Sequence, residues 1–405
     1  MSFKVFSSLY NRNFRLYWFG QVISLTGTWM HSAAQGWLVL KLTDSPFYLG
    51  LVGAAASLPS VVFSLAGGVA ADRLSKRKIL IAAQVVLMFL ALLLAFLVMA
   101  DVVTVWHVVA IAFFVGTTRA FDMPARQAFF IEMVGKENLM NAIALNSAAF
   151  NGSRVIGPSV AGLIISFMGI AACFFFNSLS FLAAIIGLML IRIAVSEKKE
   201  EERKGVMEEF KEGMRYIFSE SSVYTLLMFI AITGFFGLPY ISFLPIYARD
   251  ILNTGAAGYG ILMSVAGAGA FAGAISLVLK GDHSRKGLLL AVSGIVFSIS
   301  LLIFSFSTAA WLSNVMLFLV GWGAVSHIAT ANSMLQLAVP DRLRGRVMSA
   351  FTLVFLGTAT LGNLAIGSLA HYVGTQHALE TVAGTCLVGT LILLQKKADI
   401  IKNMG

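Results

Sequence analysis

Twelve apolar runs, each about as long as a bilayer's hydrocarbon core is thick, fix the solvent in which this chain folds. A helix needs about 20 apolar residues to cross a membrane. The runs fall at roughly 16–40, 48–71, 79–99, 106–124, 139–167, 170–193, 222–247, 257–279, 287–307, 310–334, 346–370 and 377–395. A soluble core cannot hide so much: 58% of the 405 residues are hydrophobic, 12% are charged, and the mean hydropathy is +0.86. Backbone polar groups in hydrocarbon must be satisfied within their own segment. The expected fold class is therefore an all-α membrane protein of twelve transmembrane helices.

The net charge of +10 is placed by topology and does not call for a nucleic-acid partner. Of the 29 Lys and Arg, only Lys41 and Arg249 fall in the loops after the odd-numbered spans. Arg119 and Arg154 lie within spans, and the others share a side with both termini. The positive-inside rule makes that side the cytoplasm. The first run is too long for a signal-peptide core and contains Gln21, His31 and Gln35, so it reads as a retained helix. Cys173 and Cys386 sit in apolar runs with no metal spacing.

The chain repeats itself. Adding 205 takes Trp106 to Trp311, Gly116 to Gly321, Gly152 to Gly357, Gly157 to Gly362 and Gly162 to Gly367; earlier, an offset of 210 takes Gly50 to Gly260 and Asp72 to Asp282. Two like six-helix halves are a standard transporter plan. The expected division is a bundle over 1–193, a cytoplasmic linker over 194–221, and a second bundle over 222–405. In the linker, Val206, Phe210, Met214 and Ile217 recur at helical spacing, which predicts an amphipathic helix on the inner membrane surface.

The turn between spans 2 and 3 reads "GGVAADRLSKRK". Its four basic residues hold the turn in the cytoplasm, but topology needs no aspartate. Asp72 has the position to face the N-terminus of another helix, where unpaired N–H groups attract a carboxylate; span 11, entering near Arg346, offers one. Gly67 and Gly68 predict close helix approach.

The spacing of Gly68, Asp72, Arg73, Arg77 and Lys78 resembles the loop 2–3 signature of the major facilitator superfamily, with Ser75 where members usually have glycine. "GPSVAG", with Gly157, Pro158 and Gly162, resembles the span 5 motif of drug–proton antiporters. "AFDMPARQAFF", "NAIALNSAAFNGSRVIGP" and "RLRGRVMSA" resemble the bacterial branch of enterobactin-exporter-like and macrolide-efflux-like proteins. The resemblance implies a monomer of the major facilitator fold in the bacterial inner membrane. It also implies that Asp72 latches the halves at the cytoplasmic side and that Arg77 pairs with Asp122.

Polar groups within the spans supply the other site candidates. Arg154 lies mid-membrane, and Ser147, Asn151, Arg154 and Pro158 share one helical face; that face is expected to line a central cavity. Arg119 and Asp122 are placed at the inner end of span 4, which Pro124 is expected to terminate. His31, with Gln35, and His327 are cavity-lining candidates, and a coupling proton would fall to Asp122 or His31.

No G-x-x-x-x-G-K-[ST] occurs, and "AGAGAFAGA" (266–274) lacks nucleotide-binding order, so no cofactor is expected. No H-E-x-x-H and no Ser/His/Asp set at one depth supports an enzyme. The expected function is secondary export of a small amphipathic compound (a drug, siderophore or similar metabolite) by a rocker-switch driven by an ion gradient, with protons the expected coupling ion. The alternative is a lipid or lysophospholipid translocator on the same scaffold; either would work among membrane lipids.

Overall fold

The computed structural model describes residues 4–192, 206–280 and 286–396. A short 3-10 turn, Lys4–Tyr10, leads into α1 (Arg12–Thr43), α2 (Pro46–Arg73), α3 (Lys76–Met99), α4 (Val105–Gly135), α5 (136–168) and α6 (Ile170–Leu190). Then come α7 (Val206–Ser219), α8 (Ser221–Ile251), α9 (Gly255–Lys280), α10 (Lys286–Phe306), α11 (Ala310–Ala338), α12 (Asp341–Val373) and α13 (Thr375–Lys396). No strand occurs among the described residues. Ten of these helices are long and apolar enough to cross a membrane. With α1 and α5, equally long but more polar, they match the twelve expected runs in order. The expected charge run over 194–205 lies outside the described residues.

Local chemistry sets the helix ends. The Asn11 side chain caps α1, accepting from Asn13 N at 2.9 Å and Phe14 N at 3.2 Å. Pro46 starts α2 at a position where a missing N–H costs nothing. Thr104 and His107 form a capping box on α4.

The break between α4 and α5 corrects an expectation. Pro124 does not end α4; the helix runs on through it to Gly135, whose φ of 68° lies in the left-handed region that glycine enters freely. A proline removes one helical hydrogen bond, a loss that neighbouring helices absorb. Asp122 therefore lies thirteen residues from the Gly135 end of α4 rather than at the end of the helix.

The repeat is visible in the helix ends. α5 and α12 share the offset of 205 at both termini, and each is followed by a glycine with positive φ, Gly169 at 85° and Gly374 at 86°. Contacts divide the chain into two compact units. One is Met1–Ala194 with Ser242–Gly267; the other is Val195–Ile241 with Ala268–Gly405.

In the first unit, Phe14, Tyr17, Leu80, Phe129, Phe130 and Leu188 form a buried cluster. In the second, Ile217, Val223, Leu335, Val339 and Val347 do the same. Ile217 is on α7, and Met214 and Tyr216 pack against this cluster too. So Met214 and Ile217 of the expected apolar stripe pack against protein, while the side chains of Val206 and Phe210 lie outside the described residues. Glu212 pins it to α12, meeting Arg342 at 3.0 Å and Arg346 more closely.

Candidate functional site

The densest polar chemistry in the first unit lies where α1, α3 and α4 meet. Arg119, Asp122 and Arg126 are spaced by three and four, and so form one stripe of α4. Arg126 forks onto both oxygens of Asp122, with Nε to Oδ2 at 2.9 Å and Nη2 to Oδ1 at 2.8 Å. Its Nη1 donates to the Tyr17 hydroxyl of α1 at 2.7 Å, and the guanidinium lies 5.9 Å from the Tyr17 ring centroid. Gln84 of α3 donates to Asp122 at 3.4 Å and accepts from Ser24 of α1 at 3.3 Å. Asp122 is 9% exposed and Gln84 2%. A bidentate, charge-assisted pair is the arrangement in which buried opposite charges are stable together.

Arg126, Gln84 and Tyr17 were not singled out in the sequence. With span 4 ended at Pro124, Arg126 fell in a loop; a continuous helix puts it one turn below Asp122. The expected Arg77–Asp122 pair is also corrected. Arg77 donates instead to the last carbonyls of α6, Leu188 O at 2.8 Å and Met189 O at 2.6 Å. It satisfies a helix C-terminus, as a cation there should. Its neighbour Lys76 is buried against Glu132 at 2.8 Å. Asp72 and Arg73 are exposed at the end of α2. Gly67 abuts Phe121 of α4, whose Cα would lie 3.2 Å from an added Cβ; Gly68 faces open space, against expectation.

The face of α5 is more mixed than expected. Asn151 is buried and turns back on its own helix, donating to Ser147 O at 2.9 Å. The Arg154 guanidinium lies 5.5 Å from the Trp29 ring centroid, and Phe150 meets that ring edge-on at 5.5 Å. Gly157 brings α5 onto α1, since a Cβ there would sit 2.6 Å from that of Trp29. Pro158 is buried, and Gly162 lies against Ala256 and Ala257 of α9 in the same way.

His31 Nε2 meets Gln35 at 3.2 Å, its ring packs edge-on against Phe174, and its Nδ1 has no partner among the described residues. In the second unit, His327 is fully buried. Its Nδ1 is 3.0 Å from Leu290 O and its ring packs on Phe229, so it is a core residue and not a cavity wall. Arg346, expected at the start of span 11, lies five residues inside α12, bound to Glu212. No group of His, Cys, Asp and Glu that could hold a metal occurs among the described residues.

Comparison with known proteins gives a consistent picture. A family model described as transmembrane secretion effector matches residues 4–404. The chain is 23% identical over 379 residues to macrolide efflux protein A of Streptococcus pyogenes, covering 93% of this chain and 92% of that one. It is 24% identical over 349 residues to the multidrug efflux pump Tap of Mycolicibacterium fortuitum, covering 84% of each. To the staphyloferrin A transporter of Staphylococcus aureus it is 23% identical over 384 residues, covering 92% and 94%. The solved structure of the nucleoside transporter NupG is similar in fold, with a TM-score of 0.74 at 12% identity over 95% of this chain and 98% of that one.

Proposed function

Because the chain belongs to the transmembrane secretion effector family of major facilitator transporters, we propose that it is a secondary active exporter of a small amphipathic compound. Drugs such as macrolides, or a siderophore, are the cargoes named among its relatives. Two six-helix halves, divided by the cytoplasmic linker over 194–221, rock to open a central cavity to one side at a time. Both termini face the cytoplasm of a bacterial inner membrane, and Asp72 with Arg73 biases which mouth is shut.

The observation that carries the mechanism is the buried Asp122, in the middle of a span, held by Arg126. A proton entering this site neutralises the carboxylate and weakens the hold of Arg126 and of Gln84 on it. Loss of the proton restores the clasp. A site that changes its grip on α1 and α3 with protonation has the differential interaction that coupling requires. The driving force is then a proton gradient.

The test uses everted membrane vesicles carrying the full chain, with erythromycin and ethidium as probes. The expected result is uptake of a probe that collapses with a protonophore and is lost in Asp122→Asn at normal protein level. Uptake that survives the protonophore overturns proton coupling. Movement of neither probe, together with no change in the drug tolerance of a pump-deficient host, overturns the exporter reading.

A further inference from the structure

A groove of about 330 Å³ follows the line along which α1 and α6 of the first unit pack side by side. Its floor is backbone. A Cβ on Gly20 would lie 2.7 Å from the Ala183 carbonyl oxygen, and one on Gly187 2.7 Å from that of Leu16. Helices this close leave no space for side chains between them, so the larger residues stand to either side as walls. Phe19 and Ile23 form one wall and Ile186 and Leu190 the other, each about half exposed. Arg15 is the one polar side chain on the lining.

The walls point away from the core of the unit. On α1, Tyr17 and Ser24 turn inward, to Arg126 of α4 and Gln84 of α3. Phe19 and Ile23 lie across the helix from them. An exposed apolar wall within a span has hydrocarbon as its natural cover, because water gains nothing against it. The dimensions suit one leaflet. Arg15 is three residues from the start of α1, and Ile23 is eight residues further in. The groove therefore descends about 12 Å from its charged end. Half of a hydrocarbon core about 30 Å thick is about 15 Å.

Charge says what heads the occupant. Neither α1 nor α6 contains an Asp or Glu. Arg12 and Arg77 already donate to the last carbonyls of α6, Leu190 O at 3.3 Å and Leu188 O at 2.8 Å. The exposed Arg15 side chain makes no hydrogen bond or ion pair among the described residues. A guanidinium fork matches the oxygens of a phosphate two at a time. A second copy of this chain would instead set the same acid-free patch against itself, positive charge against positive.

We propose that this groove is a binding site for an anionic phospholipid, with the phosphate on Arg15 and one acyl chain laid between Phe19 and Ile23 on one side and Ile186 on the other. The site concerns the bilayer and not the cargo, so it stands or falls apart from the exporter reading.

The test is native mass spectrometry of the purified full chain, which counts bound lipids and reads their affinities. The probes are dioleoyl phosphatidylglycerol, dioleoyl phosphatidylcholine and inorganic phosphate. One phosphatidylglycerol should bind at least about fivefold more tightly than phosphatidylcholine, and inorganic phosphate should neither bind nor compete. Arg15→Gln should weaken that tightest event about fivefold and leave phosphatidylcholine within about twofold, while Arg15→Lys should retain most of the affinity. Ile186→Trp, which fills the groove from an exposed position, should weaken both lipids. Equal affinity for the two lipids, or phosphatidylglycerol binding indifferent to Arg15→Gln or to Ile186→Trp, overturns the proposal. Competition by inorganic phosphate overturns it in favour of a simple anion site. A dimer that Ile186→Trp dissolves overturns it in favour of a second copy.

Discussion

Asp122 on α4 and His327 on α11 stand 205 residues apart, the offset that relates the two halves, and they solve one packing problem in two ways. In the first unit a buried carboxylate is locked by Arg126, with Gln84 of α3 reaching across. In the second, the residue 210 positions after Gln84 is Gly294, and it leaves room for a ring: a Cβ there would lie 2.9 Å from His327 Cε1 and Nδ1. His327 then meets the Leu290 carbonyl and, among the described residues, no charged side chain. The seam between neighbouring helices is common to both halves; the charge is not. At this seam one half holds a buried ion pair, and the other a ring packed among apolar side chains.

Breaking the lock should give the largest effect. Asp122→Ala leaves Arg126 buried without its acid, a loss of about 3–5 kcal/mol. Thermal denaturation in detergent should show a deep fall in Tm, and removing both partners in Asp122→Ala with Arg126→Ala should recover much of it. If the double variant is no more stable than the single, the pair is not what holds α4. Next comes Tyr17→Phe, which removes a hydrogen bond to a charged donor at 2.7 Å and should cost about 1.5–3 kcal/mol. In the other half, His327→Leu loses one neutral hydrogen bond and should cost only about 1 kcal/mol. It should leave vesicle uptake within about twofold of wild type, an inference from the missing charge partners. A His327 variant as damaging to uptake as Asp122→Asn would erase the contrast.

These differences mark what a reader of the sequence can and cannot see. Spans and their order are legible, because hydrocarbon demands unbroken apolar length and twelve runs supply it. The repeat is legible in its glycines, and the observed ends of α5 and α12 keep its offset. Partners across helices are not legible. Pro124 looks like a stop, but one missing N–H is tolerated in a packed bundle, while Gly135, an ordinary letter in the sequence, takes the positive φ that ends the helix. That one displaced boundary hid Arg126 and moved Asp122 toward the rim. Likewise an apolar stripe on α7 shows that something must cover it, but not whether lipid or protein does.

The smallest predicted effect tests that last point. Glu212 on α7 holds Arg342, whose side chain is 77% exposed, and Arg346, which is 19% exposed. Solvent screens the first contact almost entirely, so only the pair with Arg346 should register. Gly213 lies against the same residue, with 3.0 Å between a would-be Cβ and that of Arg346, so the helix backbone sits close to α12. Glu212→Gln keeps the volume and removes the charge, and should cost at most about 1 kcal/mol. Since Met214 and Ile217 remain packed, α7 should stay docked, and limited proteolysis around 206–219 should quicken only slightly. Gly213→Leu must instead push the helix off α12 and should open the segment to protease far more. If Glu212→Gln opened it as widely, the ion pair and not the apolar face would be what seats α7, and the second unit too would depend on charge.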